Sequence, residues 1–215
     1  MTTPSSTKEP RSMLWFARDL PNVCSLVGLG CAVLGCYFAI IGVFPAAMIA
    51  LVWAVVFDWL DGRIARSIPG RTIEQREFGG HLDSLIDVVS FAVAPALLLL
   101  SVGGFSPWFI PGAMVCLATG TVRLIYFNTF GLAEGSTYRG LALDNNVLIL
   151  VVVFALQLAL SARVFAVLLY VTLMVLAILN VAPIRTPKLT GRWYFAVIAY
   201  ALAASAFYGW RLILG

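Results

Sequence analysis

The sequence predicts an all-α, polytopic membrane protein of six to seven transmembrane helices, with a cytoplasmic N-terminus and a short interfacial helix before the first span. Three observations carry that reading. Of 215 residues, 61% are apolar and only 11% are charged, against about 25% charged in an ordinary soluble domain. Apolar runs of about 20 residues, the length a helix needs to cross a bilayer, recur from end to end. The runs are solid rather than alternating, which excludes a transmembrane β-barrel. The same composition excludes a soluble enzyme, a disordered chain and a nucleic-acid binder. Cys24, Cys31, Cys36 and Cys116 lie in apolar stretches with no CxxC pair and read as small core or lipid-facing residues.

Residues 1–12 are polar, contain two prolines and lack an apolar h-region, so they are expected to be a disordered cytoplasmic N-terminus. Residues 13–215 form one transmembrane domain without an internal repeat. Met13–Leu20 sets aromatics against Arg18 and Asp19, the pattern of a helix lying in the interface plane. The apolar spans run over 22–42, 44–66, 79–101, 106–128, 144–161, 163–183 and 192–213, with breaks at Pro45, Gly103-Gly104, Pro107 and Pro183, where Gly and Pro end helices. Trp193-Tyr194-Phe195 and Phe207-Tyr208-Gly-Trp210 sit near the ends of the last span, as interfacial belts do.

Orientation follows from the cations. Twelve of the fourteen Lys and Arg residues, including Arg63, Arg66, Arg71, Arg76, Arg123, Arg139 and the Arg185/Lys188/Arg192 group, fall on one side; only Arg163 and Arg211 fall on the other. All ten acidic residues share the basic side. The positive side is expected to be cytoplasmic, with the active site facing it. A transporter would more often carry ionisable groups at mid-depth.

The second span ends in Phe57-Asp58-Trp-Leu-Asp61-Gly62-Arg-Ile-Ala65-Arg66. At about 100° per residue, Asp58, Asp61, Gly62, Ala65 and Arg66 share an arc of about 140°. The third span opens with Gly79-Gly-His-Leu-Asp83-Ser-Leu-Ile-Asp87-Val-Val-Ser90, in which Gly79, Asp83, Asp87 and Ser90 form a stripe about 80° wide. Two antiparallel helices thus each offer a pair of carboxylates at one membrane boundary. Four such groups repel, and burying them unpaired costs several kcal/mol each. One or two divalent cations relieve this, and hard oxygen ligands select Mg²⁺, Mn²⁺ or Ca²⁺. Glycines at 62 and 79 let a bulky ligand approach the backbone, and the arginines suit a phosphate or diphosphate. The competing reading is that the four aspartates simply pair with Arg63, Arg66, Arg71 and Arg76. A cation transporter using the carboxylates as its ion site is the alternative from another class; the basic rim argues against it.

The pattern Asp58-x2-Asp61-Gly62-x2-Ala65-Arg66-x12-Gly79-x3-Asp83-x3-Asp87 resembles the signature of the CDP-alcohol phosphotransferases, integral membrane enzymes that build phospholipid head groups. Pro21-Asn22-Val-Cys-Ser25 is similar to the PNxxT/S element that opens the first span in many members. Phe78 to Ala96 and Arg123-Leu-Ile-Tyr-Phe-Asn128 resemble the bacterial and archaeal phosphatidylserine synthase branch. The chain departs from that branch in the twelve-residue gap after Arg66, in His81 and in Ala142.

The resemblance implies metal-dependent transfer of a phosphatidyl group from CDP-diacylglycerol to a small polar alcohol, with L-serine favoured over choline, inositol phosphate or glycerol phosphate. It implies two ions, Mg²⁺ or Mn²⁺, at Asp58, Asp61, Asp83 and Asp87, with Asp87 as general base. Asn22, Asp58, Gly62, Ala65, Arg66 and Gly79 match the nucleotide and diphosphate side. Membrane lipids surround the protein, and family members are commonly homodimers. If serine binds, Arg123 and Arg139 are available for its carboxylate, and Asn128, Asp144, Asn145 and Asn146 for its ammonium. Arg123 could instead snorkel to the interface, and the Asp144 cluster could cap the fifth span. His81 is expected to face solvent or to hydrogen-bond within its loop.

Overall fold

A computed structural model describes residues 11–131, 137–187 and 191–214; Lys8, Lys188 and residues 1–10 of the expected disordered N-terminus lie outside the described residues. The architecture is helical, and among the described residues six helices are long and apolar enough to cross a membrane. α1 (Met13–Ala17) is short and starts where the Ser12 hydroxyl accepts from Trp15 N. α2 (Leu20–Ile40) and α3 (Phe44–Ser67) follow, each with proline in its first turn, where a missing N–H costs nothing. α4 (Ile73–Val88), a π-helical turn (Val89–Val93) and α5 (Ala94–Val102) run on as one rod. α6 (Ile110–Phe130), α7 (Asp144–Ala155), α8 (Ala162–Val181) and α9 (Trp193–Leu214) complete the bundle.

The third rod starts at Ile73, six residues before the expected Gly79. Its first turn is polar, so apolar counting misses it, but a capping box fixes it: Thr72 Oγ1 accepts from Gln75 N at 3.2 Å, and Thr72 N donates to Gln75 Oε1 at 2.9 Å. The π turn has a local cause. Pro95 has no N–H and its ring would crowd the carbonyl one turn back, and Ala94 N bonds Val89 O, five residues away. The expected fifth span is the short one. Asp144–Leu158 falls below spanning length and ends in a 3₁₀ turn.

α3 is central, packed on α2, α7 and α9, while α6 packs on α5 and α8. Lipid gives helices little hydrophobic reason to associate, so close approach of small residues has to do it. On α2 the stripe Ser25, Gly28, Ala32, Gly35 and Ala39 is buried. The apolar core gathers Met48, Leu51, Phe91, Leu98, Phe154, Phe165 and Leu169, with Phe154 between Phe44 (5.5 Å) and Phe165 (5.1 Å). Polar staples add to it: Trp53 Nε1 donates to Ser205 Oγ at 3.0 Å, Tyr200 to Leu148 O at 2.7 Å, and Tyr208 to Val151 O.

Two short strands were not expected. β1 (Thr137–Arg139) pairs antiparallel with β2 (Arg185–Pro187). Gly140, just after β1, has φ +76°, and a Cβ there would lie 2.1 Å from Asn180 O, so only glycine fits this crossing. Gly140 N donates to Ile184 O, and Thr186 Oγ1 donates to Gly140 O at 2.7 Å. The pair roofs the end of the bundle where α3 ends and α4 and α7 begin.

Candidate active site

A cavity of about 500 Å³ opens under that roof. It is lined from α3 by Asp58, Trp59, Asp61, Gly62 and Arg66, and from α4 by Gly80, Asp83, Ser84 and Asp87. The two stripes therefore face each other as the helical period requires. Asp58, Asp83 and Asp87 each offer an oxygen within 4.8 Å of the others. Asp61 stands beside this trio with its own partner: Ser25 Oγ donates to its Oδ2, and the residue is only 5% exposed.

The arginines do not neutralise the aspartates. Among the described residues the ion pair is Arg71 Nη2 to Asp19 Oδ2 at 2.8 Å, which ties α1–α2 to the head of α4. Arg63 lies against the Tyr194 ring, and Arg66 Nη2 donates to Tyr194 Oη at 2.6 Å. Asp87 Oδ1 is buried without a hydrogen-bond partner. A convergent set of carboxylate oxygens, one of them orphaned, is a hard-donor set that fits a divalent cation.

The opposite wall comes from α6, the roof and α7. Arg123, 8% exposed, has its guanidinium carbon 5.4 Å from the ring centroids of both Phe127 and Tyr138, and its Nε is buried with no partner. It turns into the bundle rather than out to the interface. Burial, with Asp144 nearby, pushes the Tyr138 hydroxyl up to about 12, so it stays neutral at ordinary pH. Asp144 opens α7 on the cavity wall and accepts from Trp59 Nε1 at 2.7 Å. Five carboxylates and two guanidinium groups, those of Arg66 and Arg123, thus line one cavity, so it offers charge of both signs to a ligand.

The other expected residues divide between the cavity and its surroundings. Asn128 lines the cavity and donates to Ser84 Oγ at 2.9 Å. Ala65, Asn22, Gly79 and Arg139 are not among the lining residues. Asn22 is buried, donates to Phe16 O at 2.9 Å, and packs so closely that a Cβ on Gly79 would lie 2.9 Å from its Oδ1. Gly79 thus leaves room for the side chains of Asn22 and Arg71, and Gly62 lies under Arg66 on the cavity wall. Arg139 is exposed and donates to Tyr126 Oη at 2.7 Å. Asn146 is buried away from the site, beside Asn180 in a void of about 10 Å³, and His81 is exposed. Trp59, Tyr138, Thr186 and Tyr194 line the cavity without having been singled out for it. For Trp59 there was a signal, its place between Asp58 and Asp61; for Tyr194 there was none beyond an aromatic at a span end.

Residues 18–204 match the family model of the CDP-alcohol phosphatidyltransferases. The chain is 37% identical over 124 residues to an archaetidylserine synthase of Methanothermobacter thermautotrophicus, a match covering 57% of this chain and 52% of that protein. It is 32% identical over 149 residues to a CDP-diacylglycerol–serine O-phosphatidyltransferase of Methanocaldococcus jannaschii, covering 69% and 67%. It is 34% identical over 98 residues to the same-named protein of Mycobacterium bovis, covering 46% and 32%. The match thus spans about half the length of the first of these relatives and a third of the last.

Proposed function

The chain belongs to the CDP-alcohol phosphatidyltransferase family, in which metal dependence is general, and from that premise we propose that it transfers a phosphatidyl group from CDP-diacylglycerol to L-serine, releasing CMP. The observation that carries the reading is the convergence of Asp58, Asp83 and Asp87 within 4.8 Å on the wall of a bundle-end cavity. The serine acceptor is supported by the names of the relatives and by a wall that sets Arg123 and Asp144 on one cavity. A zwitterion needs one group of each sign.

Asp58, Asp61, Asp83 and Asp87 hold the metal site; two Mg²⁺ or Mn²⁺ ions bound there would neutralise the diphosphate and the departing CMP. Ser25 takes one oxygen of Asp61 and leaves the other for that role. Gly62 and Ala65 keep the nucleotide side small, and Arg66 closes it. Asn22 and Gly79 act behind the wall, fixing the start of α2 against α4. The acyl chains of the lipid stay in the bilayer while its diphosphate enters the cavity.

Asp87 accepts the proton of the serine hydroxyl. The hydroxyl oxygen bonds the phosphatidyl phosphorus, the bond from that phosphorus to the bridging oxygen breaks, and the bridging oxygen leaves on CMP. Arg123 orients the serine carboxylate and Asp144 its ammonium; Asn128 supports this wall through Ser84, and Arg139 through Tyr126. The cavity faces the cytoplasm, as the one-sided basic residues support, and the protein is a homodimer, as the family resemblance implies.

An acceptor screen tests this. Purified protein with CDP-diacylglycerol and Mg²⁺ or Mn²⁺ is offered serine, choline, inositol phosphate or glycerol phosphate separately. Serine is expected to give lipid product and stoichiometric CMP. Product with another acceptor alone overturns the serine assignment and keeps the chemistry; no CMP with any acceptor overturns the function.

A further inference from the structure

Two charged groups on opposite walls of the cavity are each held by a neutral partner. Arg66 donates from Nη2 to the hydroxyl oxygen of Tyr194 at 2.6 Å. Asp144 accepts at Oδ2 from the indole N–H of Trp59 at 2.7 Å. Neutral partners orient without cancelling charge, so the guanidinium keeps its full attraction for a phosphate and the carboxylate for a cation. A carboxylate on Arg66 would compete with the ligand instead.

The two holders are one unit. The ring of Tyr194 meets that of Trp59 edge to face, centroids 5.5 Å apart and planes at 80°. The guanidinium carbon of Arg63 lies 5.1 Å from the Tyr194 centroid, which fixes the ring from another direction. Tyr194 is half-buried and lines the cavity. It stands in the first turn of α9, a helix that carries none of the motif residues. That helix is anchored deeper in the bundle, through Ser205 to Trp53 and through Tyr200 to the carbonyl of Leu148. A free arginine side chain loses rotamer entropy on being fixed, and α9 meets part of that cost in advance.

We infer that Tyr194 is a positioning residue, its hydroxyl setting Arg66 for the nucleotide diphosphate and its ring holding Trp59 so that Asp144 is set for the acceptor. This rests on the phosphatidyltransferase reading above, and it gives the last helix a role in the site.

The test compares Tyr194→Phe, Trp59→Phe and Tyr194→Leu in the purified full chain with Mg²⁺. It measures CMP affinity directly, and KM for CDP-diacylglycerol and for serine separately. Tyr194→Phe keeps the ring and removes the acceptor oxygen: CMP affinity should fall and KM for CDP-diacylglycerol rise, each about tenfold, with KM for serine changed less than about twofold. Trp59→Phe should do the reverse, raising KM for serine about tenfold with CMP affinity kept. Tyr194→Leu should raise both. A Tyr194→Phe protein with wild-type CMP affinity overturns the assignment, as does one in which both KM values move together with a loss of thermal stability. Failure of the wild type to release CMP with any acceptor defeats the phosphatidyltransferase reading instead, and the CMP-binding comparison still decides on Tyr194.

Discussion

The hydroxyl of Ser25 on α2 donates to Oδ2 of Asp61 on α3, with both side chains buried. The same Oγ lies 3.1 Å from Pro21 O in the preceding turn, so the serine sits where the first two long helices meet the cavity. Asp61 is thereby held apart from Asp58, Asp83 and Asp87, and one of its oxygens is fixed before any ligand arrives.

Ser25→Ala removes that hold and leaves a buried carboxylate oxygen without its donor. A hydrogen bond to a charged group is worth about 1.5–3 kcal/mol. The Mg²⁺ concentration for half-maximal CMP release should therefore rise at least about tenfold, with the KM for serine unchanged. A metal titration of both proteins checks it.

Asp87→Asn keeps the shape of the side chain and removes its capacity to take a proton. CMP release should fall at least about 10³-fold, while the folded protein still binds CDP-diacylglycerol. Single-turnover assays beside a lipid-binding measurement separate the two effects, and near-normal turnover would remove Asp87 as the base.

Arg123 is packed against Phe127 and Tyr138, each 5.4 Å from the guanidinium carbon. Arg123→Ala should raise the KM for serine about 100-fold with CMP affinity retained. Arg123→Lys restores a charge but not the planar stacking or the fork geometry, so it should recover only part of the loss. Separate KM measurements read this out.

Gly140→Ala places a methyl group 2.1 Å from Asn180 O, at φ +76°. The roof strand must shift, at a cost of at least about 2 kcal/mol. Thermal unfolding in detergent should move down by about 5 °C, with a loss of activity because Tyr138 and Thr186 line the cavity from this roof. An unchanged melting curve would contradict the packing described.

Much of this was legible in the chain. Apolar runs mark the spans, and the i, i+3 and i, i+4 spacing of Asp58, Asp61, Asp83 and Asp87 puts them on facing stripes by helix geometry alone. Position along a stripe does not say which oxygens converge, so the separate standing of Asp61 was not readable; it depends on Ser25 from another helix. The start of α4 was missed because its first turn is polar, although Thr72 and Gln75 carry the capping pattern. The sequence pattern gives no sign that Gly79 also packs against the side chain of Asn22 from another helix. The link from Arg66 through Tyr194 and Trp59 to Asp144 joins residues far apart in the chain by contacts between aromatic rings, and periodicity carries no information on such contacts. The β1–β2 pairing is equally remote in sequence.

The central claim is that Asp58, Asp83 and Asp87 gather divalent cations around the diphosphate of a nucleotide-activated lipid. Its most direct test is CMP release from CDP-diacylglycerol and serine by metal-stripped protein, titrated with Mg²⁺ or Mn²⁺ and then with excess chelator. The account predicts no release without metal, saturable recovery on adding it, and loss again with chelator. Turnover that persists at full rate in excess chelator would contradict it.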